Sequence, residues 1–222
     1  MYFKKHISTI SSVISNEKPR VALFRIISFI FYILEGKFAA FCIGWKNSYL
    51  GKGSRVIGTR FIVLTESVSI GRHAWIEVIV NPFDSKVYPV ISIGRGFYAS
   101  EHLHISAINR IEIGDDCLFG SGVYISDHNH GSYKGDVQSH PCEPPVLRRL
   151  SSHGPVRIGC NVWIGDNVAI IGSVQIGSGV IIGANSIVTS DVPNNVIIGG
   201  IPAKIIKRFN FLNKKWESCP KN

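Results

Sequence analysis

Two histidines stand where a regular pattern in this chain stops. His128 and His130 fall in the segment Ile125–Gly131, directly before a long aperiodic stretch, 131–155. Histidine is the usual general base near neutral pH, because its own pKa lies close to that pH. The aperiodic stretch holds four prolines and two adjacent arginines, and loops of this length in a compact fold are usually functional. The sequence therefore predicts a proton-accepting histidine at the mouth of a functional loop.

Two other interpretations of these histidines stay open. They can be incidental surface residues at a corner of the fold, or they can bind a metal, since six histidines occur between His102 and His153. Zinc needs imidazoles that converge from fixed positions. The residue about eighteen positions before His130, which would lie next to it in a coil of three hexads, is Glu112. The sequence therefore favours a site without metal.

Other catalytic and cofactor motifs are absent from the sequence. There is no G-x-S-x-G and no cysteine with a matched histidine and asparagine, so a covalent mechanism is disfavoured. There is also no G-x-x-x-x-G-K-[ST], and no G-x-G-x-x-G that opens a helix after a strand. A nucleotide held by such a loop is not expected.

The elements that must position the histidines repeat every six residues. Aliphatic residues recur at that interval without a miss, and most are followed by glycine: Ile158, Ile164, Ile170, Ile176, Ile182 and Val188. This period is typical of a parallel β-helix, in which each hexad forms one side of a triangular prism and the aliphatic side chain points inward. We expect an all-β solenoid over 49–200, interrupted by the loop 131–155.

The basic residues lie outside the repeat. Residues 1–60 hold ten Lys/Arg against two acidic residues, and residues 201–222 hold six against one. Segment 1–48 is predicted to be helical, either capping the open end of the prism or lying on an anionic membrane, and both can hold together. Segment 201–222 is predicted to contain a short basic helix. No nucleic-acid recognition motif accompanies the charge.

The cysteines and the N-terminus indicate a compartment. Five cysteines, an odd number, show no C-x-x-C spacing, and the basic start is not followed by an apolar core with a cleavage site. These features predict reduced thiols in a cytoplasmic protein, which can still touch the inner face of the membrane.

Several segments resemble a known family. The hexads, Asn161-Val162-Trp163-Ile164-Gly165, Gly183-Ala184-Asn185-Ser186 and Gly200-Ile201-Pro202-Ala203-Lys204 are similar to those of the hexapeptide-repeat acyltransferases. The stretches 107–131 and 193–217 resemble more specifically the bacterial O-antigen, or lipopolysaccharide, sugar O-acetyltransferases. The resemblance implies a left-handed parallel β-helix, assembly as a homotrimer, and acetyl-CoA as the acyl donor.

The resemblance also implies roles for individual residues. His130 matches the catalytic histidine, which would take a proton from a sugar hydroxyl. Residues expected on the acceptor side are Ser100, His102, Asn109, His128 and Arg148. Residues expected to contact coenzyme A are Trp163, Gly165, Asp166, Ala184, Thr189, Ser190, Lys204, Lys207 and Arg208. Backbone N–H groups near Gly165 and Asp166 would stabilise the oxyanion, and the basic side chains would meet the phosphates.

The function that these expectations favour is acetyl transfer to a sugar hydroxyl of a bacterial surface polysaccharide or its lipid-linked precursor. Three alternatives are an N-acetyltransferase of a nucleotide amino sugar, a zinc hydratase of the same fold, and a scaffold without catalysis. For the favoured O-acetyltransferase, the acceptor would be a sugar or a lipid-linked oligosaccharide.

Overall fold

The computed structural model describes residues 18–80 and 90–219. The loop predicted at Asn81–Pro89 lies outside the described residues, as does the beginning of the predicted N-terminal helical segment. Within the described residues the chain forms one α-helix and twenty-two short strands.

Three parallel sheets make up most of the structure, and they are the walls of a prism. The first wall contains β1 (Tyr49–Leu50), β4 (Ser69–Ile70), β7 (Tyr98–Ala99), β10 (Leu118–Phe119), β15 (Trp163–Ile164), β18 (Ile181–Ile182) and β20 (Val196–Gly200). The second wall contains β2 (Arg55–Ile57), β5 (Trp75–Val78), β8 (His104–Ala107), β11 (Tyr124–Ser126), β16 (Ala169–Ile171) and β19 (Ile187–Val188). The third wall contains β3 (Ile62–Leu64), β6 (Val90–Ile93), β9 (Arg110–Ile113), β14 (Val156–Ile158) and β17 (Val174–Ile176).

The chain visits the walls in a fixed order. Strands β15, β16 and β17 lie in the first, second and third walls, and β18 returns to the first wall beside β15, where Ile181 pairs with Trp163. One coil therefore takes eighteen residues here, which confirms three hexads per turn. All six aliphatic hexad residues from Ile158 to Val188 are buried. The parallel β-helix predicted from the six-residue period is confirmed.

The corners between walls explain the residues that follow the aliphatic positions. Asn161, Asn167 and Asn185 all have positive φ values there, a conformation that asparagine tolerates better than most residues. At Gly165 an added Cβ would lie 2.6 Å from the backbone nitrogen of Ala184. Successive coils approach so closely at this corner that only glycine fits without displacing the backbone.

The N-terminal helix α1 (Pro19–Cys42) caps the first coil. Its small residues face the prism: Gly36 lies on the ring of Tyr49, and Ala40 is fully buried in the core with Trp45. Helix α1 falls within segment 1–48, which the sequence predicts to be helical. Within the described ranges, no helix has the length and apolar character needed to cross a membrane.

The predicted C-terminal helix is wrong. Residues Ala203–Asn210 form strand β21 and Lys215–Ser218 form strand β22, an antiparallel hairpin that extends the first wall beyond β20. The last coil leaves the edge of β20 with unpaired backbone groups, and the hairpin satisfies them. β-branched and aromatic residues in this segment suit a strand, so the basic tail is a hairpin and not a helix.

The long loop 131–155 leaves the prism after β11. From 131 to 149 its structure is irregular apart from one turn of 3-10 helix at Pro145–Leu147. Strands β12 (Asn129–His130) and β13 (Leu150–Ser151) pair antiparallel and join the two ends of the loop. The loop is therefore closed at its base, directly at His130.

Candidate active site

A buried aspartate organises the corner between the second and third walls. Asp127 follows β11 and is completely buried. Its carboxylate accepts hydrogen bonds from the backbone N–H groups of Ile108, Asn109 and Arg110, at 2.9, 2.8 and 2.7 Å. These three residues turn the same corner one coil earlier. One side chain therefore ties two successive coils together beneath the loop.

The same carboxylate orients His128. Nδ1 of His128 lies 3.1 Å from Oδ1 of Asp127 and 3.2 Å from Oγ of Ser126, and the ring is almost fully buried. With a proton on Nδ1 the ring donates to the Asp127 carboxylate, while the Ser126 hydroxyl donates to the carbonyl oxygen of His128 at 3.0 Å, and the tautomer is inferred from this network. Asp127 therefore contacts Asn109 and His128, two residues predicted on the acceptor side.

His130 is exposed, unlike His128, although its backbone is held in place. It pairs with Leu150 across the base of the loop, and its carbonyl oxygen accepts a hydrogen bond from the Tyr133 hydroxyl at 2.6 Å. Among the described residues, the imidazole itself has no hydrogen-bond partner. The side chain predicted to be catalytic is thus open to a substrate, while its main chain is held in place.

Arg148 supports this arrangement from within the loop. Its Nη1 donates to the Tyr133 hydroxyl at 2.8 Å, and Nε and Nη2 donate to the carbonyls of Glu143 and Pro141. Four of the five guanidinium N–H groups are therefore used inside the loop. Tyr133, which the sequence analysis missed, links Arg148 to His130.

The remaining predicted acceptor residues lie on a different corner. Ser100 and His102 follow β7, between the first and second walls, and the His102 ring stacks on His73 with centroids 5.2 Å apart. The structure therefore divides the predicted acceptor residues between two corners of one copy. Asn109 and His128 share one corner with the predicted base His130, whereas Ser100 and His102 share another.

A column of flat side chains on the second wall was also missed. Trp75, His104 and Tyr124 are register neighbours, and the rings of Trp75 and His104 stack at 4.6 Å. Burial lowers the pKa of His104, although Glu77 opposes this shift. Nε2 of His104 lies 4.0 Å from the Glu77 carboxylate, too far for a hydrogen bond, so we take this imidazole as neutral. The contributing residues are too far apart in sequence for a local motif to reveal them.

The outer face of the first wall carries an apolar column that ends in a lysine. Strand register places Leu118, Trp163, Ile181, Ile197 and Lys207 in one row across five neighbouring strands. Paired residues on adjacent strands point to the same side of a sheet. Leu118 and Trp163 are both about half exposed. We call this row the outer column.

The predicted oxyanion donors are only partly available. The Gly165 N–H already donates to the carbonyl of Ile182 at 2.8 Å, within the ladder between coils. The carboxylate of Asp166 accepts the N–H of Ser121 at 2.7 Å. The Asp166 N–H is therefore the remaining candidate donor of this pair. Ala184 is exposed at the same corner, one coil later.

The predicted phosphate-binding residues fall into two groups. A cavity of about 1070 Å³ at the open end of the last coil is lined by Ser190, Lys204 and Arg208, together with apolar residues. Lys207 lies outside this cavity lining, in the outer column opposite Ile197. Thr189 and Ser190 follow β19, at the corner between the second and third walls in the last coil. His130 lies at the same corner in an earlier coil.

The two halves of the candidate site lie on opposite sides of one copy. His130 stands at the corner between the second and third walls, whereas the outer column belongs to the first wall. In a triangular prism, each corner faces away from the third side. One copy alone therefore cannot bring His130 against its own outer column.

The repeats match known family models. Residues 155–190 match bacterial transferase hexapeptide (six repeats), and residues 110–126 match the hexapeptide repeat of succinyl-transferase. The galactoside O-acetyltransferase of Escherichia coli (strain K12) is 35% identical over 150 residues, which cover 67% of this chain and 67% of that protein. A chloramphenicol acetyltransferase of Escherichia coli is 31% identical, over 59% of this chain and 76% of that protein. The chain belongs to the hexapeptide-repeat acetyltransferases.

Another member of this family matches with higher identity over a shorter span. WbbJ of Escherichia coli (strain K12), whose name marks it as a candidate lipopolysaccharide biosynthesis O-acetyl transferase, is 45% identical over 131 residues. The match covers 59% of this chain and 66% of WbbJ, just under two thirds of its length.

Solved structures support the same fold for this hexapeptide-repeat acetyltransferase. AntD, an N-acyltransferase from Bacillus cereus, superposes with a TM-score of 0.55 at 21% identity, over 73% of this chain and 80% of AntD. Membership of the family implies the left-handed form of the coil. Within residues 18–80 and 90–219, no group of three His, Cys, Asp or Glu side chains is arranged to hold a metal ion.

Proposed function

We propose that this protein transfers the acetyl group of acetyl-CoA to a sugar hydroxyl of a bacterial surface polysaccharide or of its lipid-linked precursor. The observation that carries this proposal is the exposed imidazole of His130 on a backbone held by Leu150 and Tyr133. A general base must come within hydrogen-bond reach of the hydroxyl proton that it accepts, and an exposed imidazole is accessible to such a substrate. The similarity to WbbJ and to galactoside O-acetyltransferase supports a sugar as the acceptor.

The chemistry would be a direct transfer. His130 accepts the hydroxyl proton while the sugar oxygen attacks the carbonyl carbon of the thioester. A backbone N–H, with the Asp166 N–H as the candidate, donates to the oxyanion. The C–S bond then breaks, and the sulfur of coenzyme A takes the proton from the imidazolium. An ester and a free thiol are the products, and no other reactant is needed.

The outer column suits the donor. The pantetheine arm is long and largely neutral, and the row from Leu118 through Trp163, Ile181 and Ile197 offers it an apolar surface. The row ends at Lys207, whose charge can meet a phosphate. Lys204, which lines the end cavity nearby, adds a second cation.

The opposed positions of His130 and the outer column support a homotrimer. A thioester lying on the first wall of one copy can react only with a histidine brought by a neighbouring copy. Closed cyclic symmetry supplies such a contact three times in a trimer. In this arrangement each active site takes its base from one copy and its donor surface from the next.

Substitution of Lys207 tests the donor surface. We expect Lys207→Ala to raise the KM for acetyl-CoA about 10- to 100-fold, because a charge-assisted contact to phosphate is lost. The kcat should change little, since the lysine is remote from the reacting atoms. Steady-state kinetics at varied acetyl-CoA concentration provide the measurement. Lys215→Ala, on the neighbouring strand β22, is the matched control, and an equal effect of both variants would contradict the assignment.

The reaction itself is tested by thiol release from acetyl-CoA in the presence of free, nucleotide-linked and lipid-linked sugars. We expect thiol release with a hydroxyl acceptor and a product heavier by one acetyl group, sensitive to mild base as an ester is. If the product were instead a base-stable amide formed on an amino sugar, the reaction would be N-acetylation and not O-acetylation. Absence of thiol release above the acceptor-free rate with every sugar class would contradict the proposal.

A further inference from the structure

Helix α1 carries its bulky apolar residues on the side that faces away from the protein. Six of them form a stripe with spacings of three and four residues and have exposed fractions of 44 to 74%: Phe24, Ile27, Phe31, Leu34, Phe38 and Phe41. The buried residues of the helix are Ala22, Gly36 and Ala40. A surface helix normally buries its large apolar residues and exposes its polar ones, so α1 is inverted. We call this stripe the outward face of α1.

The packing against the prism fixes this inversion. An added Cβ at Gly36 would overlap the ring of Tyr49, and Ala40 is fully buried beside the first coil. Rotation of the helix would press phenylalanine rings into the space that only these small residues fit. The outward face is therefore a stable feature of the surface. It is also large, because a helix of this length extends for about 36 Å, and apolar patches of this kind mark interaction sites.

The charges around the helix identify the partner. Arg20, Arg25 and Lys37 lie on α1 with Glu35 as the only acidic residue, and Lys46 follows the helix. The first sixty residues hold ten basic and two acidic residues. A second copy of the same segment would bring like charges together, whereas an anionic lipid surface would attract them. Aromatic and aliphatic residues on one face, accompanied by basic residues, are typical of helices that lie in the membrane interface.

We propose that the outward face of α1 binds the surface of an anionic bilayer, with the helix axis parallel to the membrane plane. The first coil packs against one side of the C-terminal half of the helix, at Gly36 and Ala40, so lipid can contact only the other side there. The phenylalanine rings would enter the boundary between headgroups and acyl chains, and the basic residues would meet the lipid phosphates. The proposal does not depend on the reaction that the protein catalyses.

Vesicle sedimentation of the full chain tests the proposal. Vesicles of phosphatidylcholine alone are compared with vesicles of equal parts phosphatidylcholine and phosphatidylglycerol. We expect binding to the anionic vesicles that weakens as salt is added. The triple variant Phe24→Ser/Phe31→Ser/Phe38→Ser should lower the partition coefficient about 100-fold or more. These residues are exposed, so the variant should retain the fold and can be checked by circular dichroism.

A matched triple variant controls for general loss of apolar surface. Val137→Ser/Val146→Ser/Leu147→Ser removes three apolar side chains of the loop with exposed fractions of 70 to 85%, and it should bind vesicles like the unmodified protein. Equal binding by both triple variants would overturn the proposal. It would also be overturned if the unmodified protein left anionic vesicles unbound. A loss of oligomer mass in the phenylalanine variant without a change in vesicle binding would instead identify a second copy as the partner and overturn it as well.

Discussion

Replacement of His130 by alanine is expected to lower kcat about 100- to 10,000-fold, the usual contribution of a general base. The imidazole is exposed and, among the described residues, without a hydrogen-bond partner, so its removal costs no internal hydrogen bond. The backbone contacts to Leu150 and Tyr133 do not involve the side chain. The fold should therefore survive, and KM for acetyl-CoA should stay nearly constant. Thiol release under saturating substrates provides the measurement.

Two further histidine variants sharpen this test. His153→Ala removes an exposed histidine of the same loop and should leave kcat unchanged. His128→Ala removes the ring held by Asp127 and should mainly affect the arrangement of the corner, with a smaller loss of kcat. If His130→Ala kept its activity while His128→Ala abolished it, the base would be His128, oriented by Asp127 in the manner of a catalytic dyad, and the assignment of His130 would be wrong.

Replacement of Asp127 by alanine is expected to lower the free energy of unfolding by about 3 to 6 kcal/mol. Three backbone N–H groups, those of Ile108, Asn109 and Arg110, would lose their common acceptor, the buried carboxylate of Asp127. An unsatisfied buried donor costs about 1 to 3 kcal/mol, and because these three bonds are only partly buried we expect about 1 to 2 kcal/mol for each. The loss should be visible as a lower midpoint in urea denaturation. Activity should fall as well, because the corner that supports His128 and His130 would relax.

Asp191 provides the control for this experiment. Its carboxylate is exposed and accepts a single backbone N–H, that of Gln175, at 2.8 Å. Asp191→Ala should therefore lower the free energy of unfolding by only about 1 kcal/mol. Similar losses in the two variants would mean that the three bonds to Asp127 together contribute no more than a single corner contact, and would contradict the stabilising role of Asp127.

The walls of the prism were predictable because their signal is local and periodic. Each hexad places one aliphatic side chain inward, as at Ile164 and Ile170, and the corner residue that follows must be small or tolerate positive φ. The same counting places His130 at the point where the chain leaves the second wall. Its catalytic role, which came from the family resemblance, stays a prediction.

The parts that were missed depend on contacts between coils or on the end of the solenoid. The segment from Ala203 is a strand because β20 offers it an open edge, which the sequence of the segment does not reveal. The hydrogen bonds of Asp127 connect it to residues one coil earlier in the chain. Tyr133 and Arg148, which form a hydrogen bond, are fifteen residues apart in the loop. The six-residue period does not continue into the C-terminal hairpin, so it does not predict which side of the sheet each basic residue faces. In the structure Lys207 lies opposite Ile197, whereas Lys204 and Arg208 line the end cavity.

The central claim is that each active site joins the His130 corner of one copy to the outer column of another, and activity in mixed oligomers tests it most directly. Copies carrying His130→Ala and copies carrying Lys207→Glu are produced together with different tags, and the mixed oligomers are purified through both tags. At low acetyl-CoA concentration each variant alone should be nearly inactive. In any mixed trimer one of the three sites pairs an intact corner with an intact column, so we expect about one third of the unmodified activity. Mixed oligomers no more active than the parent variants would contradict the claim.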